Sequence, residues 1–123
     1  MTDETRKNRI QLTVADARAL GEAAMRGAGY DDDDARILAD HTLDAALCGY
    51  EYSGLPKLLN VVDAQEFKRP RKPVSVLRET GATAMLDGGN NSGMIAAYRA
   101  TEATIERAKT SGLAIVCLAN TWM

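Results

Sequence analysis

Near the end of the chain six apolar residues follow one another without a polar break, Leu113-Ala114-Ile115-Val116-Cys117-Leu118. A strand with one wet face alternates apolar and polar residues. An unbroken run is instead the pattern of a strand buried on both faces, in a sheet flanked by helices. Ahead of it lies a helical pattern from Met94 to about Lys109, with Ala97, Thr101, Thr104, Ile105 and Ala108 on one face and Gly112 as its exit. Ahead of that helix, Val74 to Glu79 and Ala82 to Asp87 read as two strands joined through Thr80-Gly81 as a hairpin.

Three helices are predicted before the strands. Thr13 and Asp16 form a variant capping box, and the first helix runs to about Arg26 with Ala17, Leu20 and Ala24 as its buried stripe. Asp31 to Asp34 read as the start of the second, where negative charge meets free amides and the positive dipole end. Alternating acids, a central glycine and a closing glutamate, which a calcium loop requires, are missing from that run. Behind it Ala35, Leu38, Ala39, Thr42, Ala46 and Gly49 form a narrow small-residue stripe. Leu55, Leu58, Leu59 and Val62 begin the third helix, and Ile10 to Leu12 read as a short strand. The order predicts an α/β chain in which an N-terminal helical lobe leads into a mixed sheet. Residues 1–9 are a mobile arm, 10–67 the helical lobe, 68–73 a solvated linker rich in Lys, Arg and Pro, and 74–123 the start of the sheet domain.

Length and charge narrow the function. The 123 residues allow one core. Fifteen basic against seventeen acidic residues leave a net charge of −2, which excludes a phosphate-backbone binder. No stretch approaches the roughly 20 apolar residues of a membrane span. Two cysteines without metal-ligand spacing fit a reducing cytoplasm. With one histidine, His41, neither a His-based zinc cluster nor a Ser-His-Asp triad is available without it. His41 reads as a surface or helix-packing residue, with general base as the sharper alternative, and no metal site is expected.

Two turns carry the remaining chemistry. Tyr50-Glu51-Tyr52-Ser53-Gly54 puts two rings, a carboxylate and a hydroxyl between two helices, either as a site or as a capped turn with its rings in the core. Asp87-Gly88-Gly89-Asn90-Asn91-Ser92-Gly93 is a turn-rich loop ahead of a helix. It lacks the spacing and the lysine of the phosphate-binding glycine motifs.

Three stretches in this order, "GAGYDDDDARILADHTLDAALCGYEYSGLPKLL", "RETGATAMLDGGNNSG" and "TIERAKTSGLAIVCLANTWM", resemble the front part of the type 2 malate/L-lactate dehydrogenase family, which includes ureidoglycolate dehydrogenases and cyclic imino acid reductases. The resemblance spans almost everything from Leu12 to Met123. It implies a non-Rossmann fold, incomplete in this chain, and an NAD(P)-dependent oxidoreductase of small 2-hydroxy or 2-imino acids that is a homodimer when complete. It also places Glu51, Tyr52, Ser53 and Lys57 at the catalytic site, and Asn120 and Thr121 at the cofactor. Ser53 stands where the family has a histidine, and Lys57 where it has the arginine for the substrate carboxylate, keeping the charge but not the bidentate fork. Met123 stands where the family has its proton-accepting histidine, and methionine takes no proton.

The resemblance further implies that NAD or NADP does not bind this chain alone, because most nucleotide contacts lie beyond Met123. The expected partners are a small acidic substrate and either a C-terminal continuation or a second subunit. A split or processed non-redox enzyme, with an N-terminal nucleophile on the following chain, is the alternative. An inactive remnant is the third reading.

Overall fold

A computed structural model describes residues 9–123; of the arm expected over residues 1–9, only Arg9 lies within the described part. Residues 10–12 form no strand. Ile10 is 86% exposed and has no sheet to join.

Helix α1 spans Val14–Gly27, and the Thr13 hydroxyl accepts the Asp16 N–H at 3.1 Å as the N-cap. Its buried stripe is Ala17, Gly21 and Met25. Ala17 is buried as expected, but Leu20 is 59% exposed and Ala24 is exposed, so beyond Ala17 the buried stripe lies one residue further along. The reason is Gly21: a Cβ there would stand 3.2 Å from Ala39 Cβ and 3.3 Å from Leu55 Cδ2. That close approach turns the Gly21 side of the helix inward.

Helix α2 spans Asp32–Leu47, and the N-capping Asp31 carboxylate accepts the Asp34 N–H at 2.8 Å. The acidic run is thus a helix start, as its charge pattern indicates. Ala35, Leu38, Ala39 and Thr42 are buried as expected, joined by Ile37 and Leu43, while Ala46 and Gly49 are exposed. The Thr42 hydroxyl donates back to the Leu38 carbonyl at 3.0 Å, which satisfies its burial. A short 3-10 turn, Glu51–Ser53, leads to helix α3, Lys57–Asp63, and a second one, Glu66–Lys68, to the extended segment before the sheet.

Strands β1 (Ser75–Glu79) and β2 (Thr83–Ser92) pair antiparallel, with the Thr80 N–H donating to the Thr83 carbonyl at 2.8 Å across the expected hairpin. Helix α4 (Gly93–Ser111) carries the chain to β3 (Ile115–Trp122), which lies parallel to β2. The sheet order is β1-β2-β3, so the sheet is mixed.

Three expectations about this half are corrected. Residues 87–92 belong to β2 rather than to a loop: the strand passes through left-handed Gly89 and Asn90 and regains register at Asn91 opposite Thr121. Gly88 and Gly89 allow backbone to approach backbone, because a Cβ on Gly88 would meet the carbonyls of Ala119 and Asn120 at 2.9 Å and one on Gly89 would collide with the Lys72 carbonyl. In α4 Ile95 and Ala96 are buried and Ala100, Ala103, Thr104, Arg107 and Ala108 half-buried, so Thr104 and Ala108 of the expected face turn inward while Ala97, Thr101 and Ile105 are exposed. Last, β3 is not covered on both faces among the described residues. Leu113 and Ile115 are 70% and 59% exposed while Val116 and Leu118 are half-buried, since α4 shields one face only.

The core is continuous. Met25, Tyr30, Ile37, Leu38, Leu58 and Val61 of the helical lobe cluster with Ile95 of α4, and Trp122 of β3 packs against them. No described helix is long and apolar enough to cross a membrane.

Candidate functional site

Gly49, at φ +81°, ends α2 and throws the chain into the turn that holds four of the expected site residues. Gly54 is buried, and a Cβ there would press on the Glu51 carbonyl at 3.2 Å and on Ala46 Cβ at 3.3 Å. Pro56 then opens α3, whose first residue is Lys57, with its N–H donating to the Gly54 carbonyl at 2.8 Å.

This turn displays its side chains instead of burying them. Tyr50 and Tyr52 are 59% and 73% exposed, their ring centres 6.3 Å apart, so the reading that places both rings in the core fails. The Lys57 ammonium lies 5.6 Å from the Tyr52 ring centre, within cation–π range. Arg9 reaches back across 42 residues to grip Glu51 with both arms of its guanidinium, at 2.7 and 2.6 Å. That hydrogen bonding holds the Glu51 carboxyl below its usual range, which makes it a weak proton acceptor at neutral pH. Ser53 is half-buried and donates its N–H to the Tyr50 carbonyl at 3.2 Å. Tyr52 and Lys57 are thus brought together, and Glu51 is tied to Arg9. No hydrogen bond joins Ser53 to Lys57 among the described residues.

The second group sits where β3 meets the kinked half of β2. Asn120, left-handed at φ +53°, donates its side-chain amide to Asp87 Oδ1 at 2.8 Å. The same oxygen accepts the Gly89 N–H at 2.8 Å. Those two donors, the backbone one foremost, hold the Asp87 carboxyl below its usual range. Thr121 donates its hydroxyl to the Asn91 carbonyl at 2.8 Å, and the Trp122 indole N–H donates to the Asn90 carbonyl at 2.9 Å. One amide N–H of Asn120 and the Thr121 hydroxyl are therefore engaged in fastening β3 to β2. Met123 is 95% exposed. His41 is exposed on α2, away from both groups in the sequence.

Two participants escape the sequence reading. Arg9 has no local signal, since its partner is distant in the chain. Asp87 reads from sequence as the end of a strand and the start of a turn, although an Asp two residues before a left-handed glycine is a recognisable side-chain-to-backbone turn.

The sequence profile of the malate/L-lactate dehydrogenase family matches residues 12–122, and the chain belongs to that family. Among its relatives, the L-sulfolactate dehydrogenase of Methanothermobacter thermautotrophicus is 37% identical over 82 residues, which are 65% of this chain and 24% of that protein. Hydroxycarboxylate dehydrogenase B of Escherichia coli K12 is 31% identical over 101 residues, 80% of this chain and 28% of that protein. The solved malate dehydrogenase of Pyrococcus horikoshii OT3 superposes with a TM-score of 0.85 at 26% identity, covering 93% of this chain and 33% of that one. The chain spans about a quarter of the length of the curated relatives it matches.

Proposed function

We propose that this chain is the substrate-carboxylate end of an NAD(P)-dependent oxidoreductase that oxidises a small 2-hydroxy acid or reduces a 2-imino acid. The observation that carries the reading is the family match over residues 12–122, with relatives named as malate, sulfolactate and hydroxycarboxylate dehydrogenases. Lys57 supplies the charge for the substrate carboxylate, and the Tyr52 ring beside it walls the same spot. The Ser53 hydroxyl offers a hydrogen bond to the substrate, while Glu51 positions Arg9. The proton acceptor lies outside these residues, because neither Ser53 nor Met123 replaces an imidazole. No hydride step is assigned to Asn120 and Thr121, whose donors already serve β2. The complete enzyme works in the cytoplasm as a homodimer in this reading.

Two measurements test it. In the enzyme containing these residues, Lys57→Ala is expected to raise KM for malate, lactate or sulfolactate about tenfold, the worth of one charge-assisted hydrogen bond. An unchanged KM removes Lys57 from the site. Isothermal titration of the 123-residue chain with NADH and NADPH is expected to show no binding in the micromolar range, and binding there would return Asn120 and Thr121 to the nucleotide.

A further inference from the structure

The Lys-, Arg- and Pro-rich stretch over residues 68–73, exposed except at half-buried Arg71, is also fastened to β2 as a strap. The Lys72 N–H donates to the Gly89 carbonyl at 2.8 Å, and the Lys72 carbonyl accepts from the Asn91 amide at 2.7 Å. Asn90 fastens the preceding turn through the Glu66 carbonyl at 3.0 Å. Between this strap, the first turn of α2 and α4 lies a cavity of about 590 Å³. That volume is within the range of about 300 to 1,000 Å³ typical of small-molecule sites.

Its lining has two characters. Leu86 and Ile95, both buried, and half-buried Ala103 supply apolar surface. The charged groups divide into satisfied and unsatisfied ones. Asp31 accepts the Asp34 N–H as the α2 cap, and Arg99 holds Asp33 at 2.5 Å and Asp34 at 3.4 Å. Arg71 and Lys72 meet no carboxylate among the described residues, whereas Arg9, Arg18, Arg26, Arg36, Arg99 and Arg107 each do. The Arg71 guanidinium is nonetheless positioned, 4.3 Å from the Tyr30 ring centre and 5.0 Å from that of Phe67. These cation–π contacts hold the guanidinium in place, and its N–H donors make no hydrogen bond among the described residues.

A second observation points the same way. Tyr30, which lines the cavity and is 5% exposed, has a buried hydroxyl that meets no hydrogen-bond partner among the described residues. Such a group is destabilising unless a water or another bound molecule satisfies it.

We propose that this cavity binds a small organic anion, with its carboxylate or phosphate head on Arg71 and Lys72 and an apolar body against Leu86, Ile95 and Ala103. The site shares no residue with the Lys57 turn, so it stands independently of the function proposed above.

Calorimetric titration of the full 123-residue chain with benzoate, phenyl phosphate and inorganic phosphate at low ionic strength tests it. Saturable one-to-one binding of benzoate or phenyl phosphate is expected, with inorganic phosphate weaker because it lacks the body. Arg71→Gln should weaken binding about tenfold. Ala103→Leu should weaken it by filling the opposite wall without touching a charge, and Lys68→Gln, in the same basic stretch but off the cavity, should leave it unchanged. Circular dichroism melts verify that the variants fold, and ligand-induced shifts of the Tyr30 and Ala103 resonances in the unaltered chain locate the site without any substitution. Three results overturn the proposal: no saturation with any of the three anions, inorganic phosphate binding as tightly as phenyl phosphate, or shifts that miss Tyr30 and Ala103.

Discussion

Gly89 concentrates more structural demand than any other single position in the sheet. Its φ of +63° is left-handed, and a Cβ there would run into the Lys72 carbonyl. Gly29, at φ +96°, is equally left-handed but has nothing within 4 Å of its missing Cβ. Gly29→Ala is therefore expected to cost only the backbone term, about 1 to 2 kcal/mol. Gly89→Ala adds overpacking of about 1 to 3 kcal/mol and should cost clearly more. Urea unfolding of the two variants measures the difference.

Asp87, two residues earlier, makes that corner sensitive to pH. Its folded pKa is depressed by the Gly89 N–H and the Asn120 amide, so the stabilisation is complete above the ordinary carboxylate value of about 4. It is lost as pH falls through the lower folded value. Acid unfolding below pH 4 should thus lose part of its steepness in Asp87→Asn. A slope equal to the unaltered chain's means that the carboxylate is not linked to folding.

At the scale of elements, periodicity located the helices but not always the face each buries. In α1 Ala17 is common to both stripes, the apolar residues Leu20 and Ala24 compete with Gly21 and Met25, and a 3.6-residue period accepts either set. Contact with Ala39, Leu55 and Leu58 decides for Gly21, a residue with no side chain for a hydropathy pattern to register. Leu20→Ala is accordingly expected to shift stability by less than about 0.5 kcal/mol, whereas Met25→Ala, at 3% exposure in the core cluster, should cost about 2 to 5 kcal/mol. Equal effects in thermal unfolding would restore the stripe read from sequence. The Asp-Gly-Gly-Asn-Asn-Ser segment was misread for a related reason. Its turn-forming residues are used one at a time inside a kinked strand, where the partners come from β3 and the basic strap.

The whole molecule leaves apolar side chains exposed at both edges of its sheet. Val76 and Leu77 of β1, Leu113 just before β3 and Ile115 at its start are each more than half exposed. Both β1 and β3 are edge strands. Exposed edges and exposed apolar side chains favour association. Size-exclusion chromatography with light scattering is expected to show concentration-dependent self-association of the 123-residue chain. Ile115→Lys should shift it toward monomer without lowering the melting temperature, since the side chain is 59% exposed. A unaltered chain that stays monomeric at high concentration contradicts this.

Local chemistry was enough to read some of this protein from its residues. Capping oxygens at Thr13 and Asp31, a left-handed exit at Gly112, the Thr80-Gly81 hairpin and the helix–strand order that makes the sheet mixed all depend on neighbours within a few positions. The combined spacing of three ordinary segments was enough for the family. What escaped depends on pairs far apart in the chain: Arg9 with Glu51, Asn120 with Asp87, Lys72 with Gly89, and the bare face of β3, whose apolar run requires a cover that its composition cannot locate. Short-range preferences act through the backbone of adjacent residues, while those contacts exist only after packing has brought distant segments within hydrogen-bonding distance.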